Sequence, residues 1–251
     1  MIRALALALL LAGPAAAESI VAGLSQNRVS ITADFDGSEI LIYGAVKRDA
    51  PLPDVSPLEV IVTVEGPATP LVIRKKDRTL GVWINDEAVH IDRAPSFYAV
   101  LTTGPLDSIL SDTENLRHQI TIPRAIRAVG ISSEARDPDA FIAALLRIRQ
   151  QSGSYRILPG RVEFLEETLF RADVILPSNL TEGEYRVRLF LTRDGRVIDA
   201  QNRVIGVRKE GLERYLFTLA HEQPLIYGMV SLILAVAAGW GASAAFRLMR
   251  T

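Results

Sequence analysis

The side chains able to do chemistry are few and scattered. Three histidines are present, His90, His118 and His221. They read as lying in a strand, a loop and a juxtamembrane helix, without the i to i+4 spacing that brings two imidazoles to one metal on a helix face. The run Asp34-Phe35-Asp36-Gly37-Ser38-Glu39 is acidic, but its acid spacing and glycine position do not fit a twelve-residue calcium loop, and it reads as a turn between two strands. Glu166 and Glu167 are adjacent rather than facing, so they do not form a carboxylate pair across a scissile bond. Asn179-Leu180-Thr181 matches a glycosylation acceptor, which argues only for an exposed loop. No G-x-S-x-G elbow, Walker A loop or G-x-G-x-x-G is found. The chain has no cysteine, and its methionines are Met1, Met229 and Met249, so the long stretch between the first two offers no soft metal ligand. No catalytic, metal-binding or cofactor-binding residue is assigned, and the expectation is a protein that is not an enzyme and needs no cofactor.

Two segments concentrate the hydrophobicity. Arg3 is followed by an apolar run from Ala4 to Ala12, then Gly13-Pro14 and Ala15-Ala16-Ala17, which is the layout of a signal peptide with cleavage expected after Ala17. As a helix, the apolar run would extend only about 14 Å against a hydrocarbon core of about 30 Å. Leu225 to Phe246 carries no charge and is closed by Arg247 and Arg250. It reaches about 33 Å as a helix and reads as a single membrane span. The basic end predicts a cytoplasmic C-terminus, and the leader predicts a periplasmic position for everything before the span. The expected localisation is the inner membrane, single-pass.

Setting aside Arg3, Arg247 and Arg250 from the 28 basic residues leaves 25 against all 29 acids in the exported part. Such a balance does not recruit nucleic acid. Alternating and apolar runs punctuated by Gly and Pro predict strands at 28–34, 39–46, 58–64, 71–75, 81–85, 88–92 and 97–102, then 168–176, 185–192 and 196–208. Asp36-Gly37 and Asp194-Gly195 read as hairpin turns. The predicted fold is mainly β, with two immunoglobulin-like β-sandwich lobes and a helical insert. The expected divisions are a leader at 1–17, a first lobe at 18–104, the insert at 105–153, a second lobe at 154–209, a juxtamembrane helix at 210–224, the span at 225–246 and a tail at 247–251. Within the insert, Asp137-Pro138 opens a helix with Phe141, Ala144, Leu145 and Ile148 along one face.

Tyr185, just after Gly183, fits a tyrosine corner, in which the hydroxyl returns to a nearby backbone group. Both are assigned structural roles. Ala235, Gly239 and Ser243 repeat every four residues in the span, where small side chains let a second helix approach closely. With Pro95, Phe97 and Tyr98, they form the candidate partner-contact set.

Several segments together resemble the alphaproteobacterial putative transmembrane protein family: Phe35-Asp36-Gly37 through Tyr43-Gly44, Trp83-Ile84-Asn85, Pro95-Ser96-Phe97-Tyr98-Ala99-Val100, Leu169-Phe170-Arg171-Ala172, Leu176 to Tyr185, and Lys209-Glu210-Gly211-Leu212-Glu213-Arg214. The resemblance covers nearly the whole chain after the leader. It implies a single-span inner-membrane protein often encoded beside a polytopic permease of the TauE/SafE sulfite-exporter type, and it transfers no functional residue. The expected function is an accessory or binding subunit of such a transporter. The alternative is a cell-envelope structural or assembly factor acting through its sandwich edges.

Overall fold

Backbone hydrogen bonding decides how the apolar runs are used. The computed structural model describes residues 18–32, 35–48, 56–79, 81–128, 135–166, 168–209 and 219–249. The expected leader, Asp34, Glu167, most of the expected juxtamembrane helix and Arg250 lie outside them. Twelve strands are described, and the protein is mainly β. In chain order they are β1 (Glu18–Leu24), β2 (Arg28–Ile31), β3 (Ser38–Arg48), β4 (Glu59–Glu65), β5 (Ala68–Thr79), β6 (Val82–Pro95), β7 (Tyr98–Thr102), β8 (Tyr155–Pro159), β9 (Val162–Leu165), β10 (Leu169–Leu176), β11 (Gly183–Arg193) and β12 (Arg196–Lys209). The helices are α1 (Leu106–Ile109), α2 (Asp112–His118), α3 (Ile122–Ala125), α4 (Pro138–Gln151) and α5 (Pro224–Met249). Packing divides the chain into two units: residues 1–29 with 36–207, and residues 30–35 with 208–251.

The first unit holds a four-stranded sheet of order β1-β3-β10-β9, a six-stranded sheet of order β2-β12-β11-β4-β7-β8, and the β5-β6 hairpin as a separate two-stranded sheet. This corrects the division into successive lobes, because strands from before and after the helical segment interleave. β10 pairs with β3, and β11 with β4. Both β3 and β4 are interior strands, and each takes one neighbour from before the helical segment (β1 and β7) and one from after it (β10 and β11). Asp36-Gly37 does not close a hairpin either, since β2 and β3 belong to different sheets. The expected strands 81–85 and 88–92 are one strand, β6, carried past a bulge opposite Lys75 and Lys76. β1, β8 and β9 add strands that the sequence pattern did not suggest.

Period-two burial places the core. On the inner face, Val60, Val62 and Val64 of β4 lie opposite Leu191, Leu189 and Val187 of β11. All six are buried, as are Ile40, Ile42, Phe170, Ala172 and Val174 on the four-stranded sheet. The other face of β4, β7 and β11 is covered by helices. There Ile61, Tyr98, Val100 and Phe190 pack with Ile109, Ile120 and Ile122. Because both faces are covered, β7 is buried from end to end, as expected of a central strand. β7 and β8 run parallel, which requires a long crossover. The helical segment 105–153 is that crossover.

One edge of the sandwich is closed by side chains rather than by a strand. Asp199 accepts from the Ile20 N–H at 2.6 Å, Gln201 donates to the Ile20 carbonyl, and Arg203 donates to the Ala22 carbonyl at 3.2 Å. These three alternate along β12 and satisfy the main-chain groups of β1 that β3 does not reach. Exposed edges otherwise invite another chain. Nearby, Glu18 binds Arg193 at 2.9 Å and Arg48 at 3.4 Å.

In the second unit, α5 includes the uncharged run and is long and apolar enough to cross a membrane over Pro224–Ser243.

Candidate functional site

Two groups of residues merit a functional reading: the polar cluster under the helices and the β5-β6 hairpin with its crevice. The cluster centres on Arg188, which β11 points to the helix-covered face in the same row as Thr63. Its guanidinium donates to the Thr63 hydroxyl at 3.2 Å, the His118 carbonyl at 2.6 Å, the Gln119 carbonyl at 2.9 Å and the Tyr98 hydroxyl at 2.7 Å. It also lies 5.3 Å from the Phe190 ring centroid. Tyr98 in turn donates to the Ile120 carbonyl at 2.9 Å. The arrangement holds the C-terminus of α2, where Gln119 turns left-handed at φ 50° and leaves carbonyls without helical partners. The cation at a helix C-terminus also complements the helix dipole. Burial raises the Tyr98 pKa, against the lowering effect of Arg188. Such a hydroxyl stays protonated and structural.

His118 ends a helix rather than lying in a loop. Ser111 caps α2 by accepting from the Glu114 N–H at 3.4 Å, and Glu114 pairs with Arg117 at 2.9 Å and His118 at 3.3 Å. The Ser111-Asp112-Thr113-Glu114 spacing is the capping-box signal that would have located this helix. His90 lies on β6 and His221 in the second unit. Among the described residues, no group of three or more histidines, cysteines or acids forms a metal site.

The tyrosine corner is present. Tyr185 is fully buried and donates to the Thr181 carbonyl at 3.0 Å. Gly183 has φ +148°, and a Cβ there would stand 2.6 Å from Pro67 Cγ, so both the backbone and the space require glycine. Asp194 and Gly195, at φ 51° and 74°, form a two-residue turn between Arg193 and Arg196 of the kind preferred for hairpins.

Pro95, Phe97 and Tyr98 are corrected as a contact surface, because all three are buried. The Pro95 carbonyl accepts from Tyr155 at 2.8 Å, and Phe97 packs on Tyr185 at 6.3 Å between ring centroids. Phe97 and Tyr98 are both interior because this stretch is covered on both sides. Burial pushes the Tyr155 pKa up to about 12, against the lowering effect of Arg149. It also raises that of Tyr185, opposed by hydrogen bonds to Ser96 and the Thr181 backbone. Ala235, Gly239 and Ser243 are exposed on α5, and a Cβ at Gly239 would meet nothing within 4 Å.

The hairpin was missed as a site. Its inner face packs Val89 and Ile91 against Phe141 and Leu145 of α4. That helix forms as expected: Asp137 accepts from the Ala140 N–H at 3.2 Å, and Pro138 occupies its first turn. Ile148, however, is exposed. Between hairpin and helix lies a crevice of about 700 Å³. It is lined by Arg74, Lys75, Asp77, Asp86 and Glu87 on one side and Arg136, Asp137, Phe141 and Arg147 on the other. Its charges partly satisfy one another, with Arg136 3.5 Å from Glu87. It has the composition of a binding cleft and brings no nucleophile together with a base. A smaller cavity of about 100 Å³ is bordered by Glu65, Arg93, Tyr185 and Arg186. There the Glu65 carboxylate is bound by Arg93 and lies 3.9 Å from Arg186.

The outer face of the hairpin follows from register. Arg78 lies opposite Trp83, Lys76 opposite Asn85, Arg74 opposite Ala88 and Val72 opposite His90, and directly paired residues share a face. Two-residue alternation of Arg74, Lys76 and Arg78 was the sequence signal for it.

Among the described residues, a mainly β unit is followed by one helix long and apolar enough to cross a membrane. The chain matches the putative transmembrane protein family Alph_Pro_TM over residues 19–248 and belongs to it. No curated protein matches. Among solved structures, the sporulation control protein Spo0M from Bacillus subtilis is similar at 11% identity and a TM-score of 0.33. That match covers 82% of this chain and 55% of the other, so this chain spans about half the length of that protein. So loose a likeness carries neither fold nor function.

Proposed function

We propose that the protein is a non-catalytic accessory subunit that holds a β-rich binding unit at the inner membrane and docks its span on a polytopic transporter. A permease of the TauE/SafE sulfite-exporter type is the partner that the family resemblance suggests. In this reading the leader is removed, the β-rich unit is periplasmic, and Arg247 and Arg250 mark the cytoplasmic end. The subunit acts by presenting a ligand or stabilising its partner.

The observation that carries the proposal is the open surface of α5. Around Gly239 and Gly241 nothing lies within 4 Å of an added Cβ, and Ala235, Gly239 and Ser243 share a stripe. Association of membrane helices depends on close backbone packing at small residues, so this stripe offers a second helix a place to seat. The test is co-purification in mild detergent. A permease is expected in stoichiometric yield from the native chain and is expected to be lost with Gly239→Leu and Ser243→Leu. Recovery of soluble envelope proteins alone would favour the assembly-factor alternative, and undiminished permease recovery with the bulky variants would refute docking through this stripe.

A further inference from the structure

We propose that the outer face and tip of the β5-β6 hairpin dock on an anionic phospholipid surface. On that face Arg74, Lys76 and Arg78 follow one another at every second position, about 7 Å apart along the strand, and all three are exposed. The neighbouring carboxylates Asp77, Asp86 and Glu87 line the crevice on the α4 side, which Arg74 also borders. Asp92, on the outer face by alternation, stands at the base of the hairpin. Toward the tip, Lys76 and Arg78 stand opposite Asn85 and Trp83, so no carboxylate is paired directly across from them.

The tip is apolar on both faces. Register puts Trp83 with Arg78 on one face, and Ile84 with Asp77 and Val82 with Thr79 on the other. Trp83 is 65% exposed and Val82 64%. An apolar tip flanked by cations fits a lipid interface. Tryptophan settles at the headgroup level, the apolar side chains enter the boundary beneath it, and Lys and Arg keep their charges among the anionic headgroups while their stems lie along apolar surface. Exposed apolar side chains on both faces of the tip suit a fluid interface better than the shaped, one-sided surface of an acidic protein. A chain with its own membrane span is also held at a bilayer, where a modest surface affinity suffices. This inference is independent of the transporter that the span meets.

The test uses the full chain. Trp83 and Trp240 are its two tryptophans, so Trp240→Phe leaves Trp83 as the only reporter. This variant is placed in nanodiscs of phosphatidylcholine, with or without about one-third phosphatidylglycerol, and Trp83 emission is read with lipids brominated on their acyl chains. The expected result is a blue shift and quenching in the anionic discs, reversed by high salt because surface charge is screened. Arg74→Gln with Lys76→Gln and Arg78→Gln is expected to weaken the contact about 100-fold, from roughly five-fold per cation. Arg74→Lys with Arg78→Lys is expected to retain it. Salt dependence of the unsubstituted face keeps the test decisive if the triple variant misfolds. Equal quenching in both discs, or a Trp83 equally open to an aqueous quencher in both, would overturn the proposal.

Discussion

Replacing Arg188 by methionine removes a guanidinium that donates to two main-chain carbonyls, at 2.6 and 2.9 Å, and to two hydroxyls, at 2.7 and 3.2 Å. Hydrogen bonds to charged groups contribute about 1.5–3 kcal/mol each when desolvated. Here the full sum does not apply. Arg188 is only partly buried and Gln119 is exposed, so water can replace some donors, and methionine retains packing on Phe190. A loss of about 2–4 kcal/mol follows, dominated by the carbonyls at the end of α2. For a unit of this size, 1 kcal/mol shifts Tm by about 2–4 °C, so the full chain in detergent, melted by circular dichroism in the β-sheet band, is expected to lose about 9 °C. Arg188→Lys should recover less than half of that, because one ammonium cannot fork to His118, Gln119 and Tyr98 together. Arg188 also lowers the pKa of Tyr98 against burial, so its removal should drive Tyr98 ionisation still higher. A Tm change under about 2 °C in the methionine variant would refute the view that this cluster clamps the helices to the sheet.

Burial raises the folded-state pKa of Tyr98, Tyr155 and Tyr185. A tyrosine is charged only when deprotonated, so their stabilisation is complete below pH 10 and is lost as pH climbs through each raised folded-state value. For Tyr155, whose pKa is about 12, the loss is of order 2–3 kcal/mol. Tyrosinate absorbance should therefore rise in two stages, the later one coinciding with unfolding. Phe141→Ala empties the contact of α4 with Val89 and Ile91 and should cost about 3–5 kcal/mol. Hydrogen exchange should accelerate most in β5 and β6, whereas uniform acceleration would contradict a locally anchored hairpin. Gly183→Ala forces a Cβ toward Pro67 at φ +148° and should destabilise by about 1–3 kcal/mol, measurable as a lower Tm, while Gly81→Ala, which meets no atom, should suffer only from its backbone conformation.

Local signals were legible where the interaction partner lies close in sequence. The Asp194-Gly195 turn, the return of Tyr185 to Thr181 and the capping of α4 by Asp137 each join residues within a few positions. Pairing was not legible at long range. Nothing within residues 38–48 specifies that β3 takes Leu169–Leu176 as one neighbour, and the apolar alternation of β10 suits any antiparallel partner. β8 was hidden for a related reason: it is a short edge strand with alternating exposure whose parallel partner lies across a long crossover. The hairpin could be read as strands, but the bulge at Asp86, opposite Lys75 and Lys76, interrupts the cross-strand pairing that identifies its cationic face.

The segments that carry the family resemblance do different physical work. Pro95 to Val100 joins β6, β8 and the helices through Tyr155 bound to the Pro95 carbonyl and Tyr98 bound to the Ile120 carbonyl. Leu169 to Ala172 supplies Phe170 and Ala172 to the sandwich. Leu176 to Tyr185 ends in the tyrosine corner. Each of these is accounted for by contacts within the fold. Trp83-Ile84-Asn85 is different, because its tryptophan gives up most of the burial that makes this residue valuable in a core. Its neighbours Val82 and Ile84 are also exposed. Contacts inside the first unit explain the base of the hairpin through Phe141 and Leu145, but they do not explain an apolar tip beside Lys76 and Arg78. The chemistry of that tip calls for a surface outside the unit, with anionic charge beside an apolar layer.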